Sequence, residues 1–122
     1  MKTILYIALG GGIGSVLRYL ISAVLKGNSF PYATFITNIL GCLLIGLFFG
    51  YFEKNDLLSK DLKLFLITGL CGGFTTFSAF SNENIQLMQN NQMATAFLYT
   101  ALSLIVGFGM TYLGIIVMKN MA

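Results

Sequence analysis

Apolar residues along the chain gather into four long runs, at 3–25, 32–52, 62–88 and 93–118, and the polar residues fall mainly between them. Each run reaches the length of about 20 residues that an α-helix needs to cross a hydrocarbon core of roughly 30 Å. The joints are polar: 26–31, which ends on the single proline, Pro31; 53–61, rich in charge; and 89–92, all Gln and Asn. Joints this short turn neighbouring helices antiparallel and leave no room for a domain outside the membrane. The pattern predicts one domain over 1–122, an all-α integral membrane protein of four transmembrane helices. The runs do not repeat one another, so the chain carries no internal inverted duplication of the kind many transporters have.

The third run is interrupted by Gly69-Leu-Cys-Gly-Gly-Phe-Thr-Thr-Phe-Ser-Ala-Phe-Ser-Asn-Glu83. From Leu62 to Cys71 a helix rises about 15 Å, half the hydrocarbon core, which puts Gly72 and Gly73 near the bilayer midplane. Two adjacent glycines weaken a helix, and the hydroxyls of Thr75, Thr76, Ser78 and Ser81 stand ready to replace lost backbone partners or to bind something else. The third helix is therefore expected to break at the glycines. Irregular backbone at that depth survives only when buried in protein or lining a cavity. A kinked packing helix and a functional centre both fit this stretch, since Gly, Ser and Thr also serve as contact residues between membrane helices.

Composition narrows the function classes. Charged residues make up 9% of the 122, against about 25% in soluble proteins, which agrees with the membrane reading. The net charge of +3 comes with no basic patch and no interleaved aromatics, so nucleic acid is not a partner. There is no His, and Cys42 and Cys71 sit in separate apolar runs, so neither a metal cluster nor a disulfide framework is indicated. Gly10 to Gly14 lacks the Lys-Ser/Thr of a phosphate-binding loop. The first run is too long for a signal peptide and is expected to remain as a helix. No catalytic constellation is present, and the chain does not read as an enzyme.

Within the spans a few polar residues stand out. Gly10, Gly14 and Arg18 recur every four residues, giving one face of the first helix two small contact points and a cation, so this face should meet protein. An arginine inside a span costs about 2.5 to 3.5 kcal/mol on insertion scales, and Glu83, expected at the same end, is a candidate partner for Arg18 in a vestibule. Asn38 is the side-chain amide well inside the second span, with Thr34, Thr37 and Gly41 around it; it either bonds another helix or presents a donor to an ion. Gly46 and Gly50 read as packing. On the fourth helix Tyr99, Ser103, Gly107 and Thr111 form a polar stripe that suits a pore wall or a helix interface. Phe77 and Phe80 share a face, and two ring edges offer an anion an attractive, water-poor contact. No carboxylate lies deep in a span to coordinate a cation, so an anion path is the more natural one.

Three stretches, Gly11-Gly-Ile-Gly-Ser-Val-Leu-Arg-Tyr19, Thr37-Asn-Ile-Leu-Gly41 and the segment from Gly69 to Glu83, closely resemble the signatures of the CrcB/Fluc fluoride channel family, in order and over the whole chain. The resemblance implies a passive fluoride-selective channel of the cell membrane. It would export fluoride from the cytoplasm as an antiparallel, dual-topology dimer with two pores and a central structural sodium ion (Na+). It further implies that Asn38 faces fluoride, that Phe77 and Phe80 are the aromatic pair of the pore with Thr76 and Ser78 in its polar track, and that Gly72 and Thr75 supply backbone carbonyls to sodium. Of the fourth-helix stripe, Tyr99 and Ser103 join the pore in this reading, and Arg18 and Glu83 belong to the vestibule. Two positions depart from the pattern: Ala79 stands where many members have threonine, and Ser15 where alanine is frequent. The alternatives are a small multidrug exporter, whose proton-coupled members resemble one another in a first-helix glutamate absent here, and a non-transporting membrane subunit. The partner copy is either a second copy of this chain or an oppositely oriented paralogue. Lys2, Lys54, Lys60, Lys63 and Lys119 crowd the end that carries the N-terminus, against Lys26 and Arg18 at the other, which favours the first end in the cytoplasm.

Overall fold

The structure, a computed structural model, describes residues 2–25, 30–54 and 60–121. The expected joints at 26–31 and 53–61 lie partly outside the described residues, as do Lys26 and Asp56. Four helical runs long and apolar enough to cross a membrane are present, spanning Lys2–Val24, Tyr32–Lys54, Lys60–Gln89 and Met93–Asn120. Each lies within two residues or so of the run read from hydropathy, and among the described residues there is no strand.

The first two runs are the single helices α1 (Lys2–Val24) and α2 (Tyr32–Lys54). The third is assembled from pieces. It begins as α3 (Lys60–Lys63), widens into a π-helical stretch (Leu64–Cys71), returns to α-helix as α4 (Gly72–Phe74), opens, and resumes as α5 (Phe77–Gln89). The last run is the single helix α6 (Met93–Asn120). Between α5 and α6 the turn is closed by Gln92 N–H to the Leu87 carbonyl and Asn91 N–H to the Met88 carbonyl. Asn91 holds φ 61° there, a left-handed conformation that asparagine tolerates at a helix C-terminus.

Packing falls into two pairs, α2 with α6 and α1 with the π-helical stretch and α4. Glycine sets both. A Cβ on Gly46 would strike the Thr111 carbonyl, and one on Gly114 would come within 2.7 Å of the Leu43 carbonyl, so α2 and α6 touch backbone to backbone. A Cβ on Gly50 would come within 2.8 Å of the Met118 Cβ, so the Gly46 and Gly50 pair is a packing device, as its spacing implied. On the other side Gly10 abuts the Phe65 carbonyl, Gly14 the Leu70 carbonyl, and Gly73 the Gly11 carbonyl. The face of α1 marked by Gly10, Gly14 and Arg18 thus meets protein.

The break is not at the glycines. Gly72 is helical, at φ −63° and ψ −37°, whereas Thr75 (φ −95°, ψ 157°) and Thr76 (φ −152°, ψ 125°) are extended. Gly73 is needed for the close approach to α1, and Gly69 likewise, since its Cβ would lie 2.9 Å from the Ile7 carbonyl. The opening occurs two residues later because Thr75 and Thr76 can satisfy the freed groups with their own hydroxyls and with a side chain from α2.

Candidate functional site

Asn38 crosses from α2 to hold the break open. Its Oδ1 accepts the Thr76 N–H at 3.1 Å and its Nδ2 donates to the Thr76 carbonyl at 3.4 Å. An extended residue inside a membrane has a backbone donor and acceptor with no helical partner, and one primary amide satisfies both. This geometry uses one of the two Nδ2 hydrogens and leaves the other for a further acceptor. Thr76 then caps α5: its Oγ1 accepts the Ala79 N–H at 3.3 Å and lies 3.1 Å from the exposed Ser78 Oγ. On the other side of the opening, Thr75 donates both its N–H (3.0 Å) and its hydroxyl (2.9 Å) to the Cys71 carbonyl.

Beside the break lies an open cleft of about 380 Å³, walled by Asn38, Thr75, Thr76, Phe77, Phe80 and Ser103 together with Cys42, Cys71 and aliphatic residues. The Phe77 and Phe80 rings stand 5.9 Å apart at 42°. Phe77 is 79% exposed, whereas Phe80 is half-buried and rests on the Tyr99 ring at 4.9 Å. The Ser103 hydroxyl is buried without a hydrogen-bond partner. A buried hydroxyl left unpaired costs roughly 1–3 kcal/mol, so Ser103 is a group that a polar occupant of the cleft would satisfy. The Thr37 hydroxyl, one position before Asn38, is also buried and unpaired.

Other expected residues fall elsewhere. Tyr99 is fully buried and does not line the cleft; its hydroxyl donates to Glu83 Oε1 at 2.9 Å, while Thr34 donates to Glu83 Oε2 at 2.9 Å. Glu83 and Arg18 are therefore not paired with each other. The Arg18 Nε donates instead to the Gly73 carbonyl at 3.3 Å, placing a cation on the freed carbonyls where the helical run ends, the terminus that favours positive charge. Glu83 also borders a second, polar cleft of about 470 Å³ with Tyr32, Gln86 and Asn90, whereas Arg18 does not line it. The α6 stripe divides the same way. Ser103 reaches the first cleft, Tyr99 and Thr111 bond neighbouring elements, with Thr111 Oγ1 donating to the Cys42 carbonyl at 3.1 Å, and Gly107 packs beside Cys42.

Asn84 was not singled out by the sequence. Buried on α5, it donates to the Phe80 carbonyl at 3.1 Å and accepts from the Thr100 hydroxyl at 3.2 Å, fixing the half-helix that carries Phe80 against α6. An amide four residues after Phe80 was the available signal. Among the described residues no group of three or more His, Cys, Asp or Glu is placed to hold a metal. Backbone oxygens remain: the Cys71 and Gly73 carbonyls accept hydrogen bonds, and exposed Gly72 and extended Thr75 carry carbonyls of the type a hard cation takes.

The family described as "CrcB-like protein, Camphor Resistance (CrcB)" matches residues 5–115. The chain is similar to the "Fluoride-specific ion channel FluC" of Flavobacterium psychrophilum, 64% identical over 99% of this chain and 100% of the relative. It is 48% identical to the protein of the same description from Phocaeicola vulgatus, over 94% of this chain and 97% of that one. A third relative so described, from Azobacteroides pseudotrichonymphae, is 44% identical over 95% of each chain.

Proposed function

The chain belongs to the CrcB-like family, and from that premise we propose that it is a passive, fluoride-selective membrane channel whose path runs along the cleft beside the broken third span. The observation that carries the reading is the convergence of Asn38, Thr76, Phe77, Phe80 and Ser103 on that cleft from three separate helical runs. Fluoride is small and holds its water tightly, so a path must replace the hydration shell with several close donors. The second Nδ2 hydrogen of Asn38 and the unpaired Ser103 hydroxyl are such donors, with the Thr76 and Ser78 hydroxyls beside them. The ring edges of Phe77 and Phe80 add a weakly positive, water-poor contact. Among the described residues no carboxylate lines the cleft to repel an anion and no lysine lines it to trap one. Conduction down the gradient then exports fluoride from the cytoplasm without an energy source. The multidrug-exporter reading has no support from the relatives, and the first helix holds no carboxylate.

The conducting unit is an antiparallel dimer in this reading, with a second copy of the chain or an oppositely oriented paralogue. Two features support it: the cleft is open on one side, and Phe77 at its rim is 79% exposed. A copy turned over in the membrane would cover Phe77 and supply the missing wall. Sodium, held by the Gly72 and Thr75 carbonyls of both copies, would neutralise carbonyl ends that meet near the midplane. One chain offers too few such oxygens to enclose a hard cation, which makes this site a property of the pair.

Purified protein reconstituted into liposomes tests the function directly. Fluoride efflux driven by its own gradient is expected, with chloride retained under identical conditions. Equal release of both anions, or of neither, would overturn the reading.

A further inference from the structure

Cys42 and Cys71 line the same cleft as Asn38, Phe77 and Ser103, and the path just described gives neither a role. The two elements that bear them are pressed together there. A Cβ on Gly41, next to Cys42, would run into the Thr75 methyl group and lie 3.6 Å from the Phe74 ring. The Thr75 hydroxyl is in turn bonded to the Cys71 carbonyl at 2.9 Å. The two cysteines thus flank one contact on the wall of one cleft. Both are free; Cys71 is 3% exposed and Cys42 half-buried.

A pair of thiols selects its ligand by number as well as softness. Zinc asks for four protein ligands in a structural site, and among the described residues no third His, Cys, Asp or Glu joins the pair. Soft cations are drawn to sulfur, and those content with linear, two-coordinate binding need nothing further. We propose that Cys42 and Cys71 form a two-thiolate site for a soft, linearly coordinated cation of the Hg2+, Ag+ or Cu+ class, and that filling it obstructs the cleft. Obstruction rests on the channel reading; capture of the cation does not. With mercuric chloride, two S–H bonds break and two S–Hg bonds form, two protons and two chlorides leave, and nothing is oxidised or reduced. The neutral salt enters an apolar cleft without the cost of carrying a bare charge there.

Two readouts on the full reconstituted chain separate the parts. Treated with mercuric chloride and read by intact mass, the parent is expected to gain one mercury, lose two protons and retain no chloride. Cys42→Ser and Cys71→Ala are each expected to hold mercury through one thiol with a chloride or added thiol as the second ligand. A competing monothiol should strip those variants at concentrations lower on the order of 10²-fold, the advantage of a second attachment on one scaffold. In fluoride efflux, each protein compared with its own untreated rate, the parent should be blocked and restored by dithiothreitol, and any block in the two variants should be reversed by the competing monothiol at the same lower concentrations. A parent that carries chloride-bearing adducts, or that loses two protons without gaining metal, overturns the site. A bridged adduct with unchanged efflux overturns the obstruction. An untreated parent that conducts no fluoride defeats the channel reading, while the mass still decides the site.

Discussion

Asn38 carries two tasks on one amide, and that makes its substitution informative. Asn38→Asp keeps an acceptor for the Thr76 N–H but sets a carboxylate oxygen against the Thr76 carbonyl, where Nδ2 now donates at 3.4 Å. It also puts a negative charge on the proposed anion path. The expected outcome is loss of fluoride efflux together with a destabilisation of about 1–3 kcal/mol from the broken pair. Efflux at the parent rate from a folded variant would remove Asn38 from the path. The aromatic pair allows a cleaner separation. Phe77 is exposed in the single chain, so Phe77→Ile should leave the monomer's packing intact while removing a ring edge, and efflux should fall steeply. Phe80→Ile should also cost stability, because Phe80 rests on Tyr99 at 4.9 Å; losing an aromatic contact is worth about 0.5–1.5 kcal/mol beyond its buried area. Parent-like efflux in both variants would reduce the rings to packing.

At the scale of elements, the glycines of α1 are not equivalent, and their differences follow from what lies opposite each. A Cβ on Gly14 would run into the Leu70 carbonyl and come within 2.7 Å of the Phe74 nitrogen and 3.1 Å of the Gly73 carbonyl carbon, all backbone atoms that cannot swing aside. A Cβ on Gly12 would meet nothing within 4 Å outside its own helix backbone. Gly14→Ala should therefore destabilise by about 1–3 kcal/mol through overpacking, while Gly12→Ala should be neutral or gain up to about 1 kcal/mol from helix propensity. Thermal unfolding of the two variants in one detergent checks this, and a reversed order would mean that α1 packs through a different face. The π-helical stretch belongs to the same scale. Widening the helix over Leu64–Cys71 lets the run pass Gly10 and Gly14 and still deliver Thr75 and Thr76 to Asn38. Such insertions recur at functional sites in helices.

For the whole molecule, the charge distribution and the proposed dimer pull in opposite directions. Lys2, Lys54, Lys60, Lys63 and Lys119 sit at one end of the bundle, where α1 and α3 begin and α2 and α6 finish. Among the described residues the acidic groups there are engaged locally, with Glu53 3.5 Å from Lys119 and Asp61 accepting from the Thr3 hydroxyl at 3.0 Å. Carboxylates contribute little to orientation, so the lysines favour that end in the cytoplasm. An antiparallel homodimer nevertheless needs both insertions. A cysteine appended to one terminus of the Cys42→Ser, Cys71→Ala double variant, expressed alone and probed in intact vesicles, is expected to label equally from both sides. Labelling from one side alone would sink the homodimer and favour an oppositely oriented paralogue.

The amino-acid sequence by itself determined the membrane class, the four spans, the packing role of Gly10, Gly14, Gly46 and Gly50, and the gathering of polar residues around Asn38 and the third span. Hydrophobic length and four-residue spacing are local properties, legible without neighbours. The family could be read there too, because its signatures are contiguous. What only the tertiary structure decided depends on groups far apart in the chain. The two glycines read as a breakpoint lie in helix, with Gly73 packed against Gly11 of α1, and the chain opens at Thr75 and Thr76 because Asn38, 38 positions away, pairs with the freed backbone. Arg18 and Glu83, opposite in charge and at one end, find other partners because Gly73, Thr34 and Tyr99 reach them first. The π-helical stretch left no trace in the pattern, since its residues are mostly apolar and offer no contrast from which to read a period.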